Sequence, residues 1–293
     1  MELWFLYAVG AAVFAALTTI LAKIGIKNVD SHLATAIRTV VVVVFAWLMV
    51  FIADAQNSIG DIQGRTWIFL VLSGLATGGS WLFFFHALKL GNVNKVSPLK
   101  KSSTILTMVL AFIFLREAMH WVTVVGMVLI GIGTWLMLEL KKKSVDDKEK
   151  TNNTWLIFAL LAAVFASLVA IFGRIGVADM DANLWTAIRT MVVVPLSLVM
   201  VFMVGSQKTI KNIDLKSWVF LILSGIATGA SWLFFYHALQ LGNAIHVVPI
   251  DKLSIVFTMG FARLFLGERF SKQSLIGLGL LVLGTLLPVL LTF

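Results

Sequence analysis

The sequence predicts an all-α integral membrane protein, with ten transmembrane helices arranged as two inverted five-helix repeats. Three observations carry this expectation. Of the 293 residues, 60% are hydrophobic and only 13% charged, with a mean hydropathy of +0.99; ordinary soluble domains hold roughly 45–50% apolar and about 25% charged residues. Ten segments are long and apolar enough to cross about 30 Å of hydrocarbon, which takes roughly twenty helical residues. The first half of the chain also returns in the second half at one fixed offset.

The ten spans run approximately over 3–22, 33–53, 67–88, 96–115, 122–140, 155–173, 184–204, 218–239, 247–266 and 274–292. The apolar start carries Glu2 where a leader peptide would be basic, so it reads as span 1. The gaps collect the charges, as in Lys23 to His32, Asp54 to Arg65, Arg116 to Trp121 and Lys141 to Lys150. The spans are continuously apolar with no alternation of period two, which excludes strands of a membrane β-barrel.

Composition also narrows the function. The net charge of +9 comes from residues scattered between apolar runs, not from a basic domain, so nucleic acid is not an expected partner. Cysteine is absent, which removes disulfides, thiolate nucleophiles and cysteine metal sites. No H-E-x-x-H, G-x-S-x-G or Walker A run occurs, so no enzyme, ATP-driven pump, metal site or cofactor is expected of this chain. The expected partners are the lipid bilayer and a small-molecule substrate, and pairing into a homodimer is left open.

The duplication is written in motifs. LSGLATGGSWLFF from Leu72 returns as LSGIATGASWLFF from Leu223, TAIRT at 35–39 returns at 186–190, and HALKLGN from His86 returns as HALQLGN from His237. Pro98, Glu117, Gly126 and Gly133 map to Pro249, Glu268, Gly277 and Gly284, always 151 positions on, and roughly 60 of about 140 aligned positions are identical. This divides the chain into a first repeat at 1–140, a charged linker at 141–153 and a second repeat at 154–293. An odd number of spans per repeat inserts the second half upside down. Inverted repeats are a recurring transporter plan, with the substrate near the midplane between the halves, and they favour transport over the alternative of a non-transporting scaffold or lipid-interacting membrane protein, which has no use for them.

At this point the motifs resemble a known family. The run LSGIATGASWLFFYHALQLGNAIHVVPIDKLSIVFTMGFARLFLGERFS, with its V-x-P-I-D-K-L-S and F-L-G-E-R segments, is similar to the end of a repeat of the EamA family within the drug/metabolite transporter superfamily. The first half departs from that pattern, reading VSPLKKSS and FLREAM. The resemblance covers the chain once per half. It implies ten helices, a place in the cell's inner (plasma) membrane, and export or exchange of small metabolites. It also implies short single-repeat relatives that must pair as dimers, of which this chain looks like the fused form.

Ionisable residues inside spans are the candidates for the transport site, because each is costly in hydrocarbon. Arg38 and Arg189 lie early in spans 2 and 7, where they either snorkel to headgroups or line the cavity and hold an anion. Lys101 and Lys252 follow a proline in spans 4 and 9, and Asp251 stands where the first repeat has Lys100. Adjacent residues point about 100° apart on a helix, so Asp251 and Lys252 need not pair. Trp81 and Trp232 form a cavity wall or simply pack. His86 and His237 read as interfacial hydrogen bonders, and Gly74, Gly78, Gly225 and Gly229 as helix-packing positions. Glu117 and Glu268 end spans 4 and 9, where an acid opposes the helix dipole and calls for a partner such as Arg116 or Arg269, or solvent. Spans 5 and 10 carry spaced glycines and no mid-span charge, so they read as peripheral helices whose role is packing or repeat-to-repeat contact. Six basic residues (Arg38, Lys100, Lys101, Arg189, Lys252 and Arg263) against one comparably placed acid, Asp251, predict a positive cavity and an organic-anion or amino-acid-like substrate.

With the N-terminus outside, the cytoplasmic segments hold 14 Lys and Arg residues and the external ones only Arg65, Arg116 and Arg174. The positive-inside rule therefore puts both termini outside. Reporter fusions at Phe293 and near Asp147 are expected to read outside and cytoplasmic, respectively. An external linker would overturn this and restore the orientation in which ten-helix members of the family are drawn.

Overall fold

The computed structural model describes residues 2–26, 29–90, 103–137, 154–267 and 270–291. The described residues are nearly all helical: α1 (Leu3–Gly25), α2 (Ser31–Ile52), α3 (Gly64–Leu90), α4 (Ser103–Leu115), α5 (Trp121–Met137), α6 (Thr154–Val177), α7 (Ala182–Val204), α8 (Leu215–Leu241), α9 (Ala244–Asp251), α10 (Ser254–Leu266) and α11 (Lys272–Leu291). Short 3-10 segments follow α2 (Ala55–Asp61) and α7 (Ser206–Asn212), at equivalent places in the two halves. Among the described residues eight stretches are long and apolar enough to cross a bilayer, with α9 and α10 together forming one of them. α4 and α5 are shorter apolar helices. Large apolar side chains such as Val44, Phe51, Trp135, Phe202 and Leu264 are exposed around the outside, as a lipid-facing surface requires.

Capping sets several boundaries. Asp30 accepts the amides of His32 (2.9 Å) and Leu33 (3.2 Å) at the start of α2. Asp181, its repeat equivalent, accepts those of Asn183 (2.8 Å) and Leu184 (3.1 Å) at the start of α7. Asp214 caps α8 through Ser217, and Gly205 ends α7 at φ +82°, a left-handed conformation that glycine adopts without a Cβ clash.

Span 9 departs from the expectation of one helix starting near 247. It begins at Ala244 and breaks after Asp251. Pro249 has no N–H to donate. Beyond it, the amides of Lys252, Leu253, Ile255 and Val256 bond carbonyls three residues back, those of Pro249, Ile250, Lys252 and Leu253, at 2.8–3.1 Å. The helix tightens into a 3-10 turn and restarts at Ser254.

The halves are interleaved. The most extensive helix contacts join one repeat to the other: α1 with α8, α3 with α6, α5 with α11 and α2 with α7. Each pairing maps onto another, or onto itself, when the repeats are exchanged. Ser80 Oγ donates to the Ala162 carbonyl (3.0 Å) and Ser231 Oγ to that of Ala11 (2.9 Å). Ser73 Oγ donates to the Val169 carbonyl (3.3 Å) and Ser224 Oγ to that of Thr18 (2.9 Å). Both pairs of bonds interchange under the 151-residue offset, which is the signature of a pseudo-two-fold axis.

The glycines allow this approach. A Cβ on Gly74 would lie 2.6 Å from Val192, and one on Gly225 would lie 2.7 Å from Val41, its repeat counterpart. α5 and α11 meet backbone to backbone: a Cβ on Gly126 would lie 2.5 Å from the Gly284 carbonyl oxygen, and one on Gly133 would lie 2.5 Å from that of Gly277. The earlier glycine of α5 faces the later glycine of α11, so these equivalent helices run antiparallel and the two halves are inverted. Packing without a hydrophobic driving force favours such small-residue seams. We expect Gly277→Leu, which pushes side chain into the backbone of Gly133 and Met137, to lower the melting temperature of the detergent-purified protein by an overpacking cost of about 1–3 kcal/mol. Gly279→Leu, where a Cβ meets open space, should leave it unchanged.

Candidate functional site

The site starts from the TAIRT segment of α7. The Asp181 cap fixes the helix start, and two turns later Arg189 points inward, only 2% exposed. Its Nε donates to Ser73 Oγ (2.9 Å) and its Nη2 to Thr77 Oγ1 (2.6 Å), both on α3 of the other half. The hydroxyls are oriented to accept, because Thr77 donates its own proton to the Ser73 carbonyl (3.0 Å) and Ser73 donates to Val169. The guanidinium carbon lies 5.0 Å from the ring centre of Trp232 and 5.3 Å from that of Tyr236, both within cation–π range. Nη1 is buried and has no hydrogen-bond partner. Among the described residues no carboxylate pairs with this cation. A buried, uncompensated charge is expensive, and this one is held in place by two hydroxyls and two aromatic rings.

Arg189 lines a cavity of about 320 Å³ between the halves. Trp81 and Ser80 of α3, Thr104 and Thr107 of α4, Trp232 and Tyr236 of α8, and the α9–α10 break with Asp251 and Lys252 complete it. Lys252 Nζ lies 2.8 Å from Asp251 Oδ2, so these neighbours do pair, at the point where α9 breaks. The pairing leaves Arg189 as the uncompensated cation of this cavity among the described residues.

The repeat supplies a twin. Arg38 of α2 donates from Nη2 to Thr228 Oγ1 on α8 (2.9 Å), the counterpart of the Arg189–Thr77 bond. It lines a second cavity of about 260 Å³ with Thr35, Thr39 and Phe84. Its Nε is buried without a partner. Trp81 and Trp232 line both cavities and stand between them. The twins differ in detail: Arg189 holds two hydroxyls and is fully buried, whereas Arg38 holds one and is half-buried.

Six of the seven sequence candidates, Arg38, Trp81, Arg189, Trp232, Asp251 and Lys252, therefore converge on these two cavities, and both arginines turn inward instead of reaching for headgroups. Lys101, with Pro98, Lys100 and Glu268, lies outside the described residues. His237 bonds the Leu233 carbonyl of its own helix (2.9 Å) and stacks on Tyr7, and His86 packs against Phe158. Among the described residues no α5 or α11 side chain lines either cavity.

The expectation that Glu117 pairs with Arg116 or solvent is corrected. It is buried, and its oxygens accept the amides of Ala244 (2.9 Å) and Ile245 (2.8 Å) at the start of α9, with Arg174 Nε 3.9 Å away. Burial pushes its carboxyl above the ordinary range, against the opposing pull of the two amides and Arg174. The sequence reading also missed Ser73, Thr77 and Ser80 with their equivalents Ser224, Thr228 and Ser231. Their spacing of four and then three residues places each set on one helix face, a polar stripe in otherwise apolar spans. Among the described residues no three His, Cys, Asp or Glu side chains gather as metal ligands would.

Comparison with known proteins agrees with this architecture. The model of the EamA-like transporter family matches twice, over residues 2–139 and 153–290. An uncharacterized transporter of Sinorhizobium, encoded in a cobO 3′ region, is 42% identical over 136 residues, which are 96% of its own length and 46% of this chain. An uncharacterized protein of Methanocaldococcus jannaschii is 27% identical over 135 residues, again 96% of its length and 46% of this chain. Both relatives are thus about half as long as this protein. A crystal structure of a protein with 16% identity superposes with a TM-score of 0.78 over 97% of this chain and 96% of its own, a likeness of fold. With the family matched once per half and nearly end to end, the chain belongs to the EamA-like transporter family.

Proposed function

We propose that this protein is a secondary transporter of the cell's inner (plasma) membrane that exports or exchanges small metabolites by alternating access. Its substrate carries a carboxylate or a comparable anionic group, as an organic acid or an amino acid does. The observation that carries this reading is Arg189: a cation buried between two inverted halves, with one nitrogen unpartnered and a cavity beside it. The free Nη1 binds the anion, and the hydroxyls of Ser73 and Thr77 hold the guanidinium in its plane. Trp81 and Trp232 supply the apolar surfaces that take the substrate's body. Among the described residues a lipophilic cation finds no acid to pair with there except Asp251, which Lys252 already occupies.

Alternating access follows from the duplication. If the halves exchange conformations, the Arg38 cavity takes the role that the Arg189 cavity has here, and substrate passes between them beside the shared tryptophans. The α9–α10 break lets one side of the cavity move without unwinding a whole span. Both halves lie in one chain, so a single copy supplies a complete path, and pairing of two copies is not required. The reading assigns no chemical step to the protein, and transport draws on substrate or ion gradients.

The test begins with a thermal-shift screen of purified protein against carboxylates, amino acids and lipophilic cations, since a ligand of the folded state raises its stability. Hits are then assayed in vesicles. Anionic or zwitterionic hits should move saturably. Removing one partner of a buried charge pair costs about 2–5 kcal/mol, so Arg189→Gln should weaken apparent affinity by about 30-fold or more. Robust transport of lipophilic cations that is indifferent to Arg189→Gln would overturn the proposal.

A further inference from the structure

At one end of the molecule α4 and α6 finish and α9 begins. Glu117, just past α4, belongs to the first half, yet its carboxylate accepts the first two amides of α9 in the second half, at 2.9 and 2.8 Å. The N-cap residue of α9, Asn243, makes no side-chain capping bond of its own. The orphan donors of this helix end are thus satisfied from across the repeat boundary. Arg174, near the end of α6, stands 3.9 Å from the same carboxylate and ties in a third helix.

What lies beneath gives the contact a meaning. Met108 and Ala111 of α4, Ile171 of α6, and Ile245 and Val248 of α9 are all buried in one apolar cluster that adjoins Glu117, whose amide bonds the Ala111 carbonyl (3.4 Å) and whose carboxylate bonds Ile245. Below this plug the same helices wall the Arg189 cavity, through Thr104 and Thr107, Ala170, and Val248 and Asp251. A path from this end between these helices opens only if α4 and α6 part from α9. That movement breaks the bonds Glu117 makes. Its outer side borders a cleft of about 420 Å³ lined by Arg116, Arg174 and Asn243, so water is at hand to take over the freed amides.

We propose that Glu117 is the latch of the gate at this end of the transport path: bonded to the Ala244 and Ile245 amides it holds this end shut, and its release lets α4 and α9 separate. Glu117 is a positioning residue that never touches substrate. The inference rests on the alternating-access reading, but it concerns the gate and not the substrate.

The absence of cysteine makes the test direct. A single reporter, Ala170→Cys, sits where the plug meets the cavity wall. Its labelling by a membrane-impermeant maleimide is measured from each face of the membrane, with Glu117 intact, with Glu117→Gln and with Glu117→Ala. A latch predicts reciprocal change: faster labelling from the Glu117 face and slower labelling from the opposite face. The rise should reach about ten-fold or more in Glu117→Ala, as loss of a hydrogen bond to a charged group made only in the closed form implies, and be smaller in Glu117→Gln, which keeps one acceptor oxygen. Should Glu117→Ala fail to fold, Glu117→Gln carries the comparison. Rates that rise together from both faces would mark a merely structural acid and overturn the proposal, and unchanged rates would overturn it as well. No substrate enters the assay, so this outcome is independent of whether the vesicle experiments find an anion.

Discussion

Hydrocarbon offers no hydrogen-bond partner, so polar groups placed within these spans look for partners on other helices or face a cavity between them. The polar stripe on α3 and its copy on α8 meet this constraint across the repeat boundary. Ser73 and Ser80 bond carbonyls of α6, and Ser224 and Ser231 bond those of α1. Thr77 and Thr228 take up the arginines of α7 and α2. One such interhelical bond in a membrane contributes only about 0.6 kcal/mol on average. Their value here is geometric: they register the two halves and aim two guanidinium groups at the space between them.

The pseudo-two-fold is close in the packing and looser at the site. Glycine contacts and serine bonds interchange almost one for one. Arg189 is fully buried against Trp232 and Tyr236, whereas Arg38 is half-buried with a single hydroxyl partner. Glu117 adds a tie at one end, a first-half acid capping a second-half helix.

Much of the fold was legible in the sequence, because span length, inversion and packing glycines are written in composition and in the 151-residue offset. Gly126, Gly133, Gly277 and Gly284 read as repeat-to-repeat contacts and form the α5–α11 seam. The site was legible in part. Charge in a span is a conspicuous signal, so Arg38, Arg189, Asp251 and Lys252 stood out. Which way an arginine points is not local information: snorkelling and inward pairing differ only in what a distant helix offers. The hydroxyl stripe was hidden for the opposite reason, since Ser and Thr are common in spans and each is unremarkable alone. Asp251 and Lys252 pair where α9 breaks beyond Pro249, a break whose place and extent one proline does not specify. Glu117 was misread because its partners are backbone amides more than a hundred residues away, which no side-chain pattern records.

Substrate recognition by Arg189 is the central claim, and a ligand-bound structure tests it most directly. The account predicts a substrate anion within hydrogen-bond distance of Arg189 Nη1, about 2.7–3.2 Å, with the rest of the molecule between Trp81 and Trp232. A substrate bound elsewhere, or in this cavity with its charge turned away from Arg189, would contradict it.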